Sequence, residues 1–397
     1  DPAAVARILF ALDLGGGYGH IRRALPLADQ LAARGHALAI AMRRSAYAGE
    51  VLAGRTHRVL AAPVHVAPVV AGAPAENWAD ILLRTGHGAP GVLERLLREW
   101  VALYERERPD LVVCDFAPSA LMAAGLAGVR TIDIGSGYTP APRMVPMPPM
   151  RFWAGVPRAH LLESEARALG AVNAARAALG GAPLAALADT LATDRTILNC
   201  FPEFDHYGVR PGGDYYGNDF ALRDGVAAEW PAGTGARVFA YLRAGSRAMA
   251  PVLAVLRRLG LPSLVHARDL KAEHEAALSG PALRVSARAV RMAEVVAQCA
   301  VVICHSPATA AAGLVHGRPV VMLPEHVEQS MVALRLAERG LAQVPEAEEA
   351  QVEAALRHAL EAPGPLARAG SFARHYHGFD PGEAMAAVAD ECEAVLA

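Results

Sequence analysis

A chain of 397 residues with a formal net charge of −2 exceeds what one hydrophobic core commonly fills, so two domains are expected. Near-neutrality removes any bulk electrostatic case for a nucleic-acid or anionic-membrane partner, and five cysteines without paired spacing argue against a disulfide framework or a zinc site. The unpaired cysteines fit a reducing cytoplasm, and the apolar run at the front, too short to span a bilayer and without a signal-peptide layout, leads to the expectation of a soluble, cytoplasmic protein.

"ARILFALDL" is an apolar run of strand length. After the glycine-rich "GGGYGH", the stretch "IRRALPLADQLAARG" puts Leu25, Ala28, Leu31 and Ala32 on one helical face, and "HALAIAM" reads as the next strand. Strand, loop, helix and strand in this order make a βαβ unit on a parallel sheet. The pattern recurs: "PDLVVCDF" is a strand bounded by Pro109, "ALMAAGLAG" a short helix closed by glycine, and "VRTIDIGSG" another strand.

A middle region from about Thr139 to Gly217 has weaker periodicity. It opens with "TPAPRMVPMPPMRFW", whose five prolines preclude a regular helix or central strand. Met144, Met147, Met150, Phe152 and Trp153 make this loop greasy: either a wall for an apolar ligand or a cap on a core edge. "LLESEARALGAVNAARAALG" reads as helix, and "PEFDHYGVRPGGDYYGND" as a connection between two halves, with the boundary near Gly217. A second set of βα units follows, with strands in "ARVFAYLRAGS", "PSLVHA", "CAVVICHS" and "RPVVML" and helices in "MAPVLAVLRRLG" and "HVEQSMVALRLAERG". The fold class is therefore α/β with parallel sheets.

A glycine-rich turn after a first parallel strand lets backbone approach a ligand, and the next helix offers free N–H groups. "GGGYGH" lacks the dinucleotide register, and no acidic residue ends "HALAIAM", which disfavours a nicotinamide cofactor. His20 would stand at the carboxyl edge of the sheet, where an imidazole can act as a base. Asp115, ending "LVVCD", would reach the same edge, accept the Nδ1 proton and leave Nε2 free. The plainer alternative makes His20 a helix cap and Asp115 a turn residue.

Together, "GHIRRALPLADQLAARGH", "PDLVVCDF", "VNAARAALGGAP", "TILNCFPEFD", "RVFAYLRAGS" and "VVICHSPATAAAGLVHGRPVVMLPEHVEQSMVALRLAERGLA" resemble the nucleotide-sugar glycosyltransferases of the GT-B fold, near the UDP- and macrolide-glycosyltransferase superfamily. The resemblance covers nearly the whole chain. It implies two Rossmann-like domains facing across a cleft: residues 1–217 binding an acceptor and 218–375 a UDP- or dTDP-linked sugar, with 376–397 as a helix packed back on the first. It further implies metal-independent inverting transfer without a cofactor, to a hydrophobic small molecule, in bacterial natural-product biosynthesis. His20 would be the base and Asp115 its orienter. Gly17, Gly19, Gly245, Ser246, His305, Ser306, Ala308, Thr309, Glu328 and Gln329 would hold the donor, and Met144, Met147, Met150, Phe152 and Trp153 the acceptor. A homodimer is left open.

Departures from the family pattern stand beside the likeness. Cys304 takes the place of the diphosphate-binding histidine, His305 and Ser306 stand where glycines are expected, Ala312 replaces a ribose-gripping glutamate, and no tryptophan lies near Val290. Two alternatives follow: a nucleotide-sugar epimerase or hydrolase of the same fold, and a non-catalytic nucleotide-sugar-binding homologue.

Overall fold

In the computed structural model, residues 5–15, 18–43, 52, 54–55, 57–67, 74–220 and 225–397 are described. The chain divides into two units, Asp1–Gly217 with Gly382–Ala397, and Asn218–Pro381.

The first unit carries β1 (Arg7–Leu12), β2 (Ala37–Met42), β3 (Arg58–Ala61), β4 (Leu111–Cys114), β5 (Arg130–Gly135) and β6 (Arg195–Leu198). They form one parallel sheet in the order β3-β2-β1-β4-β5-β6. β1 and β4 are apolar and buried on both faces, as a parallel sheet covered by helices on both sides requires. The helices are α1 (Tyr18–Ala33), α2 (Trp78–Arg84), α3 (Val92–Glu107), α4 (Pro118–Ala127) and α5 (Arg158–Ala178). Strand order reverses between β1 and β4, which makes their carboxyl ends the switch point where ligands bind in such sheets.

The helix expected from Ile21 starts earlier, at Tyr18, and runs through Pro26. His20 therefore sits in the first turn of α1 and not in the loop before it. Residues 140–157 hold only a short turn, Phe152–Ala154, in line with their prolines. The segment expected to connect the halves is instead packed into the first unit. Phe204 and Asp205 are fully buried, and Arg210 donates to Asp205 at 2.8 Å and to the carbonyls of Pro140 and Gly137 at 2.7 Å each.

The second unit repeats the plan with β7 (Val238–Arg243), β8 (Ser263–Arg268), β9 (Leu283–Ser286), β10 (Val301–Cys304), β11 (Val320–Met322) and β12 (Ala342–Gln343). Its parallel sheet has the order β12-β11-β10-β7-β8-β9, so its own reversal falls between β7 and β10. The helices are α6 (Met249–Leu259), α7 (Glu275–Leu278), α8 (Met292–Gln298), α9 (Pro307–Val315), α10 (Val327–Glu338), α11 (Glu349–Glu361) and α12 (Pro363–His375).

A last helix, α13 (Pro381–Leu396), belongs to the first unit. Its Met385, Val388, Ala389 and Cys392 join the core formed by β1, α1 and β4. The return to the first unit comes at Gly382, later than the expected Tyr376. No described helix is long and apolar enough to cross a membrane.

Candidate functional site

At the first switch point the chain leaves β1 through Asp13, Leu14 and Gly15 and leaves β4 through Asp115 and Phe116. The amides of Leu14 and Gly15 donate to the Phe116 carbonyl at 3.1 and 3.2 Å, tying the two exits together. A Cβ on Gly15 would lie 2.8 Å from the Asp115 carbonyl oxygen and 3.2 Å from the His20 ring, so only glycine fits without displacement. Phe116 has φ 50°, a left-handed conformation rare for an aromatic residue. The turn it makes puts its ring 5.5 Å from the His20 ring, with Trp78 tilted against it at 5.9 Å and Tyr138 edge-on at 6.3 Å.

His20 and Asp115 meet as expected from their places in the chain: Nδ1 of His20 is 2.8 Å from Oδ1 of Asp115. The carboxylate is 3 % exposed and the imidazole 25 %. Arg23, one helical turn beyond His20, completes the cluster. Its Nε donates to Asp115 Oδ2 at 2.9 Å, its Nη2 to Oδ1 at 3.2 Å, and Nη2 also lies 2.8 Å from His20 Nδ1. Burial pulls the Asp115 pKa up, but the charge of Arg23, the charge of His20 and hydrogen bonds from both outweigh it, leaving the carboxyl below its ordinary value.

Two more carboxyls lie nearby. Asp13 is spent on capping α4: it accepts the amides of Ser119 and Ala120 at 2.9 and 3.2 Å and the Ser119 hydroxyl. Burial, only partly offset by these bonds, pushes it up to about 6. Asp133, beside Cys114 in the sheet, is raised well above the carboxylate range, by burial first and then by the charge of Asp115.

Gly17 lies outside the described residues, and Gly19 is in the first turn of α1. The apolar loop is a correction to the expected acceptor wall. Met147 and Met150 are fully buried, so they pack the interior and present no surface to a ligand. Met144 and Trp153 are 52 % and 44 % exposed, and Phe152 packs edge-on against Trp153. Arg151 of the same loop pairs with Glu76, and beside them lies a hollow of about 560 Å³ also lined by Asp80, Arg84, His160 and Arg167.

At the second switch point, Ser246 closes a turn by donating its amide to the Arg243 carbonyl at 3.0 Å, and its hydroxyl accepts the Ala248 amide at 3.1 Å. A Cβ on Gly245 would meet nothing within 4 Å, so packing places no demand for glycine there. Across the switch, Cys304 ends β10 and Ser306 is the N-cap residue of α9, with no side-chain cap bond. Pro307 has no N–H, so Ala308 and Thr309 present the first amide donors of α9, where an anion is favoured. Burial pushes the Cys304 thiol far up, which removes it as a nucleophile.

His305 is 4 % exposed, and its Nδ1 has no hydrogen-bond partner among the described residues. Burial chiefly pushes it down to about 4; Glu325 opposes this, while Arg243, His326 and Arg268 add to it. The ring stacks on Tyr241 at 5.1 Å, and Tyr241 lies 5.0 Å from His266, itself pushed down to about 4 by burial and then by Arg268. Gln329 accepts the Glu325 amide at its Oε1 at 2.8 Å, which leaves its NH₂ for a ligand. Glu328 lies half-buried in the first turn of α10.

No protein-family model matches the chain, and no curated protein matches its sequence. Solved structures do. CalG4, the calicheamicin glycosyltransferase, aligns with TM-score 0.71 at 18% identity over 99% of this chain and 98% of that one. The fold is GT-B. The GT-B structure of the kitacinnamycin glycotransferase gives TM-score 0.69 at 19% identity, covering 99% of this chain and 100% of that one. VinC, a glycosyltransferase solved in complex with DTDP, gives 0.66 at 17%, covering 97% and 100%. Neither Arg23 nor Gly15 was among the residues expected from sequence. Arg23 had a signal, since three positions along a helix from His20 is the same face.

Proposed function

We propose that the chain transfers a sugar from a UDP- or dTDP-linked donor to a hydroxyl of an apolar small molecule, inverting the anomeric carbon. The observation that carries this reading is the His20–Asp115 pair at the switch point of the first sheet, on a fold shared with glycosyltransferases such as CalG4. Nε2 of His20 takes the acceptor proton. The acceptor oxygen bonds the anomeric carbon as the bond from that carbon to the diphosphate oxygen breaks, and the proton later passes from Nε2 to water. Asp115 holds the ring and supports the imidazolium. In the second unit, the α9 amides of Ala308 and Thr309, the Thr309 hydroxyl and the neutral His305 ring offer donors to the departing diphosphate. Ser246 and Glu328 stand as further donor-binding residues, and Met144, Phe152 and Trp153 as what remains of the acceptor wall.

The fit of a diphosphate rests on two features of that unit: a helix start with unspent amides and a buried imidazole nitrogen without a hydrogen-bond partner among the described residues. The test pairs a thermal-shift panel of nucleoside diphosphates with turnover assays on UDP- and dTDP-sugars. His20→Ala should keep the nucleotide shift and lose turnover. Equal turnover in wild type and His20→Ala, or free sugar released at full rate without acceptor, would overturn it.

A further inference from the structure

We infer that Arg23 is a positioning residue that decides which nitrogen of His20 carries the proton, and so sets its strength as a base. The inference rests on the transferase reading only for its kinetic consequence.

One atom, His20 Nδ1, has two partners at the same 2.8 Å distance: Asp115 Oδ1 and Arg23 Nη2. Their demands conflict. A guanidinium only donates and is always charged, while an ionised carboxylate only accepts. A proton on Nδ1 satisfies Asp115 and meets the Nη2–H group head-on. A lone pair on Nδ1 satisfies Arg23 and forgoes Asp115.

Asp115 is already served, because two guanidinium nitrogens bond its two oxygens at 2.9 and 3.2 Å. Its single negative charge is therefore shared, and an imidazolium would add a second cation beside Arg23. Both considerations favour a neutral ring with its proton on Nε2 and its Nδ1 lone pair toward Arg23. Such a ring donates at Nε2. Base catalysis needs the opposite tautomer, so Nη2 must leave Nδ1 before the acceptor proton can be taken.

Among the described residues, the charged or titratable groups coupled to the His20–Asp115–Arg23 cluster include Asp133 from β5, Cys114 from β4 and Asp13 just past β1, on the side of Asp115, and Cys200, on the side of Arg23. Phe116 covers the ring and carries no charge. Asp13 titrates near 6, so activity alone does not isolate His20.

The experiment is ¹⁵N–¹H NMR of the imidazole in the full chain, with the His20 signal assigned by its loss in His20→Gln. Wild type is expected as the Nε2–H tautomer. Arg23→Met should move the proton to Nδ1, since Asp115 is then left to accept from the ring alone. Arg23→Lys, which keeps the charge but loses the planar fork that bonds both Asp115 oxygens and His20 at once, should weaken the tautomer preference, and it stands in if the methionine variant does not fold. In turnover, the acid limb of kcat/KM should move in the variants; a purely structural role lowers kcat at every pH without moving the limb. A wild-type Nδ1–H tautomer, or variants with unchanged tautomer, overturns the inference. The NMR result standing with no turnover on any donor would sink the transferase reading alone.

Discussion

The Nδ1 atom of His20 stands 2.8 Å from Oδ1 of Asp115, although 95 positions separate the two residues. Only the parallel pairing of β1 with β4 brings them together, because it aligns the chain exits of both strands on one edge. Asp115→Asn keeps the shape and removes the charge that Arg23, 16 % exposed, bonds through two of its nitrogens. Turnover is expected to fall by about 10²-fold to 10⁴-fold. Chemical denaturation should show a loss of about 3 kcal/mol. A variant with wild-type kcat would mean the carboxylate orients nothing.

Gly15 permits that pair. Its missing Cβ is where the Asp115 carbonyl, a backbone atom, already lies at 2.8 Å, so an alanine must push apart the two strand exits. Gly15→Ala should cost about 1 to 3 kcal/mol, as overpacking does, and lower kcat more than it raises KM. Gly245→Ala is the control: nothing lies within 4 Å of its Cβ, and stability should stay within about 0.5 kcal/mol. Equal effects at both positions would remove the close approach as the cause.

What sequence could and could not show follows from the same residues. The runs of β1, β2, β4 and β5 are short, apolar and punctuated, so the first parallel sheet was legible, and with it the shared edge of His20 and Asp115. The burial of Met147 and Met150 was not, because a proline-rich loop has no period from which to read an inward face. α3 did carry a signal: Leu93, Leu96, Leu97, Trp100 and Tyr104 repeat at helical spacing and are all buried. The inward turn of Arg23 had only its three-residue spacing from His20 as a signal, against the rule that charge on a helix face normally points to water. The place of residues 202–217 depended on Arg210, held by Asp205, reaching the carbonyls of Gly137 and Pro140, a long-range match that spacing does not encode.

Three histidines set an acid limit on stability. His87, His266 and His305 are each pushed down to about 4, with burial the largest cause. Between that value and an ordinary 6.5, the unfolded chain binds protons that the folded chain refuses, so stability falls as pH falls through this window. Each contributes on the order of 3 kcal/mol at most. Asp13 acts oppositely: raised to about 6, it holds its proton in the folded state and loses stability as pH rises through that value. Urea midpoints should therefore drop from pH 7 to pH 4.5, and His87→Asn should flatten that slope. A slope unchanged in the variant would show that His87 titrates normally.

The final helix is structural glue for the first unit, and a single charge should demonstrate it. Val388 is fully buried among β1, α1 and β4, while Arg34 donates to Asp390 at 2.6 Å and Glu393 at 2.7 Å, and Tyr216 to Glu391 at 2.8 Å. The polar ring is partly exposed and worth little pair by pair. The hydrogen bond from His36 most of all, then burial opposing it, then Arg34, leave Glu393 with a pKa below its ordinary value; this contribution is present above that value and lost as pH falls. The apolar stripe carries more. Val388→Asp would bury a carboxylate with no partner, and a loss of about 4 kcal/mol or more is expected, against about 1 for Glu393→Gln. Limited proteolysis should then cut first in residues 5–217, while the thermal shift from nucleoside diphosphate in residues 218–381 persists. If cleavage stays as slow as in wild type, α13 is not part of that core.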